Sequence, residues 1–134
     1  MAKTAASKKV ANTAASKRAK GSRAERKVAE AYRRYDIDPE AKRQLLSGGG
    51  YLKGDIYKPN DYQYVDEVKC QEKVKLWEFW NQTTEQAKMN QVPVLHITGN
   101  NRPILTVLNL EDYMNLRAEV KQLEKQIKEL QEGV

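Results

Sequence analysis

Three observations place the chain in the α/β class. Residues 22–35 and 76–90 carry apolar residues at helical spacing. Around them lie short β-branched and aromatic runs bounded by glycine, proline and asparagine, as strands are. After Asn109 a charged stretch returns to helical spacing and keeps it to about residue 131. The order is α-β-β-β-α-β-β, closed by one long C-terminal helix.

Taken in turn, residues 1–20 hold six basic side chains and no acid, with a short echo, "TAASKK" then "TAASKR". Alanine, serine and lysine at this density bury little, so disorder or a nascent helix is expected. Such a segment is either a basic arm that follows phosphates or a solubilising extension. Ser22 and Glu25 have the spacing of a capping box, ahead of the stripe Ala24, Val28, Ala31, Tyr32 and Tyr35. Pro39 keeps that helix from running on. A short strand over Arg43–Leu46 is interrupted by Gly48, Gly49 and Gly50. Strands at 54–57 and 63–70 are expected to form a hairpin around Pro59, Asn60 and Asp61.

The second helix is followed by "PVLHIT" and "PILTVLNL", each starting at a proline, where a missing N–H is best tolerated. Asn109 is a natural N-cap for the last helix. There Leu116, Val120, Leu123, Ile127 and Leu130 are spaced 4, 3, 4 and 3, the a/d seam of a coiled coil. With about two heptads, that seam serves either self-association or packing on its own domain.

A chain of 134 residues holds one domain plus extensions: a tail over 1–20, a core over 21–113 and a terminal helix over 114–134. The net charge of +6 belongs to the tail, because the 18 basic and 18 acidic residues that follow cancel. It therefore does not by itself make the folded part a nucleic-acid binder. No apolar run approaches the ~20 residues of a membrane span. The N-terminus lacks a signal-type apolar stretch, so an intracellular protein is expected. One cysteine and one histidine exclude an internal disulfide and a Cys/His metal cluster. Any metal would be hard and held by oxygen.

The segment "GDIYKPNDYQYVDEVK" raises the functional question. Strand alternation puts Glu67 and Lys69 on one face with Val65, and Asp66 and Cys70 on the other. If 57 pairs with 63, Asp55 lies diagonal to Glu67, at about 7–8 Å between backbones, and both carboxylates can reach one ion. A register shifted by one residue sends Asp55 to the opposite face. Two carboxylates suit magnesium, and a nearby lysine can orient an attacking water or face developing phosphorane charge. The same three charges are also ordinary on a solvated hairpin. Glu25 is either a capping glutamate or an acid leaning over the sheet. The glycine run after Ser47 is either a plain loop or a close approach for a DNA backbone.

Glu25-Arg26 on a helix, then Arg43, Ser47 and the glycine loop, "GD" at 54–55 and "EVK" at 67–69 together resemble the PD-(D/E)xK nuclease superfamily. Within it, residues 21 to about 113 look closest to archaeal-type Holliday junction resolvases and related phage nucleases. Gly54 stands where the name-giving proline would be. The resemblance implies a mixed central sheet with helices on both sides, the restriction-endonuclease-like core. It implies Asp55 and Glu67 as metal ligands, Lys69 as the catalytic lysine, and Glu25 completing the metal site directly or through water. It further implies Arg26, Arg43 and Ser47 near phosphates and Gln86 as a helix glutamine that helps order the site. The ion would be Mg2+, with Mn2+ able to substitute, and the partners branched DNA and a second copy of the chain in the cytoplasm of a prokaryotic or phage-infected cell.

The expected activity is thus magnesium-dependent resolution of four-way junctions. Its rivals are a less selective nuclease acting on duplex, flap or single strand, and a non-enzymatic nucleic-acid-binding protein. Trp77, Phe79 and Trp80 read as core or interface, His96 as a hydrogen-bonded structural residue and Cys70 as an inert thiol. Arg102 reads equally as a phosphate contact or a surface arginine.

Overall fold

A computed structural model describes residues 13–45 and 53–133. Ser47, Leu46, the glycine run and the first part of the basic extension lie outside the described residues. Helix α1 (Ala14–Arg34) opens at Thr13, whose hydroxyl accepts from the Ser16 N–H at 3.2 Å. It therefore begins about two turns before the Ser22 capping box. The alanines, lysines and arginine that follow Thr13 are strong helix formers, so Ser22 becomes an interior residue. Glu25 is released from capping as a result. The face carrying Ala24, Val28 and Ala29 is buried.

Strands β1 (Lys42–Arg43) and β2 (Ile56–Tyr57) pair antiparallel as a two-stranded ribbon. Strand β3 (Tyr64–Cys70) pairs in parallel with β4 (Val92–Thr98), from Tyr64↔Val92 to Cys70↔Thr98, and α2 (Leu76–Gln86) makes the crossover. Strand β5 (Leu105–Val107) adds antiparallel to β4, giving the order β3-β4-β5. Helix α3 (Leu110–Glu132) follows. The molecule is thus mixed α/β, with a parallel pair inside a mixed sheet and helices around it.

The expected hairpin between 54–57 and 63–70 does not form as a ladder. β2 pairs with β1, and β3 spends its backbone on β4. The connection between β2 and β3 is drawn inward instead of closing a tight turn. Lys58 is buried and donates to the Tyr64 carbonyl at 2.9 Å and to the Asp61 carboxylate at 3.0 Å. Asn60 binds the buried Asp38 carboxylate through both its backbone and side-chain N–H groups. The loop is thereby tied to the α1–β1 connection.

Between α1 and the strands the core is Ala24, Val28, Ala29, Ile56 and Val68, bordered by Tyr32, Cys70 and Ile104. Elsewhere Leu95 and Phe79 are buried, and Thr83 is buried at no hydrogen-bonding cost because its hydroxyl donates to the Phe79 carbonyl at 2.7 Å. Of the aromatic trio, Phe79 is core, Trp80 half-buried and Trp77 exposed. Asn109 caps α3 as expected, its side chain accepting from the Glu111 N–H at 2.9 Å. That helix has no buried residue, and its seam lies open: Val120 is 44%, Ile127 55% and Leu130 72% exposed.

Candidate active site

Asp55 reaches β3 without belonging to the ladder. Its N–H donates to the Asp66 carbonyl at 2.8 Å, and its carboxylate accepts from the Val68 N–H at 2.8 Å. These two bonds bracket Glu67. Gly54 makes the approach possible: its φ is +96°, and a Cβ there would stand 2.7 Å from the Asp66 carbonyl oxygen. Proline, fixed near −65°, cannot adopt that conformation, which is the physical reason for glycine at this position.

On the same face of β3, Lys69 Nζ lies 3.6 Å from Glu67 and 5.4 Å from the centre of the Phe79 ring. The expected grouping of Asp55, Glu67 and Lys69 is therefore present, reached through the Asp55 bonds to β3 and not through hairpin register. Burial pushes the Glu67 carboxyl up to about 7, helped by the neighbouring Asp55 charge and opposed by Lys69. Burial likewise raises Asp55, opposed by its bond from Val68 and reinforced by Glu25. Such a pair of half-buried carboxylates lacks enough positive charge nearby, and a divalent cation would supply it. The donor set, two carboxylates, fits a hard oxygen-seeking ion that completes its shell with water.

Glu25 sits within electrostatic reach of both carboxylates, but its own partner is Arg43, Nε to Oε2 at 2.5 Å. Among the described residues no three acidic, histidine or cysteine side chains converge as a metal cage. Arg43 is placed beside the site through Glu25, whereas Arg26 and Gln86 are exposed, Gln86 ending α2. Ser47 lies outside the described residues.

The sequence did not disclose how β3 is held from behind. Asp66, 1% exposed, accepts from the Tyr32 hydroxyl, meets Lys58 Nζ at 2.7 Å and is bonded to His96 Nε2 at 2.6 Å. Nδ1 of His96 meets the Thr106 hydroxyl at 2.9 Å, so Nε2–H pointing at the carboxylate satisfies both ring nitrogens. Burial alone would raise Asp66, but His96 and Lys58 outweigh it and hold the carboxyl below its ordinary value. Helix α1, strand β4, the β2–β3 loop and, through His96, strand β5 are thus fastened to the residue beside Glu67. The only sequence trace of this is a polar residue at alternate positions in two apolar strands. His96 is, as expected, structural.

A sheet strand presenting Glu-x-Lys next to an aspartate that reaches in from a neighbouring loop is an arrangement that could serve metal-assisted phosphodiester hydrolysis. The family model described as "Phage putative PDDEXK endonuclease" matches residues 16–132, and the chain belongs to this family of the PD-(D/E)xK superfamily. The match takes in α3 and most of the described basic segment, and so extends beyond the 21–113 core that carries the motifs. No curated protein and no solved structure matches the chain. No helix among the described residues is long and apolar enough to cross a membrane.

Proposed function

We propose that the protein is a magnesium-dependent DNA endonuclease that cuts four-way junctions by paired phosphodiester hydrolysis. The carrying observation is the Asp55 carboxylate fastened to the Val68 N–H, beside Glu67 and Lys69. In this reading Asp55 and Glu67 hold the ion, and Glu25 acts through water from its pairing with Arg43. When bound, the ion supplies positive charge to the phosphoryl oxygens and acidifies a water. Lys69 Nζ, held between Glu67 and the Phe79 ring, orients that water or faces the developing charge. Arg43 keeps Glu25 in place, and Arg26 and Ser47 meet neighbouring phosphates.

Two copies of the chain would cut opposed strands of a symmetric junction, and the open seam of α3 is the surface we assign to their pairing. The test is cleavage of a labelled four-way junction beside its linear duplex, with magnesium or EDTA, by wild type and Asp55→Asn. Paired nicks in the junction alone, lost in EDTA and in Asp55→Asn, are expected. Equal cutting of the duplex would leave a nuclease without junction preference. Binding without cutting of either substrate would make the chain a non-enzymatic binder.

A further inference from the structure

The parallel strands β3 and β4 end together at Cys70 and Thr98, and in open α/β sheets the crevice beyond such carboxyl ends is a favoured ligand site. Here that crevice is a cavity of about 250 Å³ between α1 and the β4–β5 turn. Lys20, Arg23 and Lys27 line it from α1, and Asn100, Asn101 and Arg102 from the turn, with no acid in its wall. A second, larger cavity of about 610 Å³ shares Lys20, Cys70 and Asn100 with the first and reaches Lys17, Lys69 and Lys73. Its one acid, Glu72, is turned toward the β4–β5 turn by the Asn100 N–H at 2.6 Å. A basic trough therefore runs from the catalytic-motif lysine to Arg102. The residues after position 20 carry no net charge even with Arg23, Lys27, Lys69, Lys73 and Arg102 counted, so this concentration is local.

We propose that the cavity formed by Lys20, Arg23, Lys27 and Arg102 is a second phosphate site, which grips the DNA strand on one side of the scissile phosphate. The inference rests on the nuclease reading for its ligand. The trough's wall on α1 runs from Lys17 to Lys27, and we assign its contact to the DNA on one side of the cut. It positions the strand and carries no base recognition.

The test uses the full chain and a four-way junction bearing single methylphosphonate linkages, walked outward from the nick. Binding is read in EDTA and cleavage separately in magnesium. Arg23, Lys27 and Arg102 are all exposed. The triple variant Arg23→Gln, Lys27→Gln, Arg102→Gln is expected to bind about tenfold or more weakly, with a salt slope shallower by about two to three. One neutral linkage on a single side of the nick should weaken wild type and leave the variant indifferent. Arg23→Lys with Arg102→Lys, which keeps charge, should retain the wild-type slope. An unchanged slope in the triple variant, or equal sensitivity of wild type and variant to every linkage, overturns the proposal. Loss of cleavage without these binding changes would count against it too. Absence of cleavage by wild type, with the binding changes present, would count against the nuclease reading and leave the phosphate site standing.

Discussion

Gly54 is the residue on which the position of Asp55 depends. Ala at 54 would force φ = +96° on a residue with a Cβ and drive that Cβ against the Asp66 carbonyl. Gly54→Ala is expected to cost about 2–4 kcal/mol of stability and to abolish magnesium-dependent cleavage while junction binding survives. Thermal melts and the junction assay, run on the same preparation, check both halves. Asp66 is the second such residue. Asp66→Ala would strip buried Lys58 of one of its two carboxylates, leaving only Asp61, and would orphan the Tyr32 hydroxyl and His96 Nε2, so a loss of about 3–5 kcal/mol is expected in chemical denaturation. The grouping of Asp55, Glu67 and Lys69 was legible because it follows from residue type and spacing. Asp66 was not, since an aspartate beside Glu67 on a strand gives no sign of burial until its partners are known. Those partners come from α1, the β2–β3 loop and β4, and no local pattern joins them.

At the scale of elements, the order of helices and strands followed from periodicity, but the pairing did not. Alternation gives the faces of a strand and says nothing of which neighbour takes its backbone. The hairpin was the local choice, and it lost to a parallel β3–β4 ladder that α2 makes possible. The start of α1 was missed for a related reason. Two capping residues, Thr13 and Ser22, lay on either side of a segment that is a strong helix former, and the earlier one won. Helix α3 was anticipated at its cap and seam, and its exposed apolar stripe gives the proposed pairing a direct check. Leu123→Glu with Ile127→Glu should shift the protein to a monomer by light scattering. The melting temperature at low concentration should move little, because no residue of α3 is buried in its own domain. An unchanged oligomeric state would rule out pairing through this seam.

For the whole molecule, two groups of carboxyls pull stability in opposite directions. Asp38 and Asp66 sit below their ordinary values: burial would raise each, but hydrogen bonds from Asn60 and Glu40 to the first, and from His96 and Lys58 to the second, prevail. Their contribution is present above the unfolded carboxylate range near ~4 and is lost as pH falls through the lower folded values. Glu67 and Asp55 are shifted upward, so the fold favours their protonated forms. Their contribution is present below the same ~4 and disappears as pH rises, for Glu67 through about 7. In EDTA the melting temperature should therefore pass through a maximum in mildly acidic solution and decline toward pH 8. Magnesium should remove the decline on the alkaline side, and Glu67→Gln should flatten it without metal. A profile in EDTA that is level from pH 5 to 8 would mean that burial does not raise the two carboxyls.

The anchoring of Asp66 also limits how a chain of this kind can change length. Removing or inserting one residue within β3 would turn Glu67 toward Tyr32, Lys58 and His96, and swing its neighbour out to the surface. Seven consecutive cross-strand pairs with β4 would slip at the same moment. Indels in this strand should therefore be lethal to the fold. The end of α3, a helix with no buried residue, is the place to attach a label or a fusion partner without disturbing the domain.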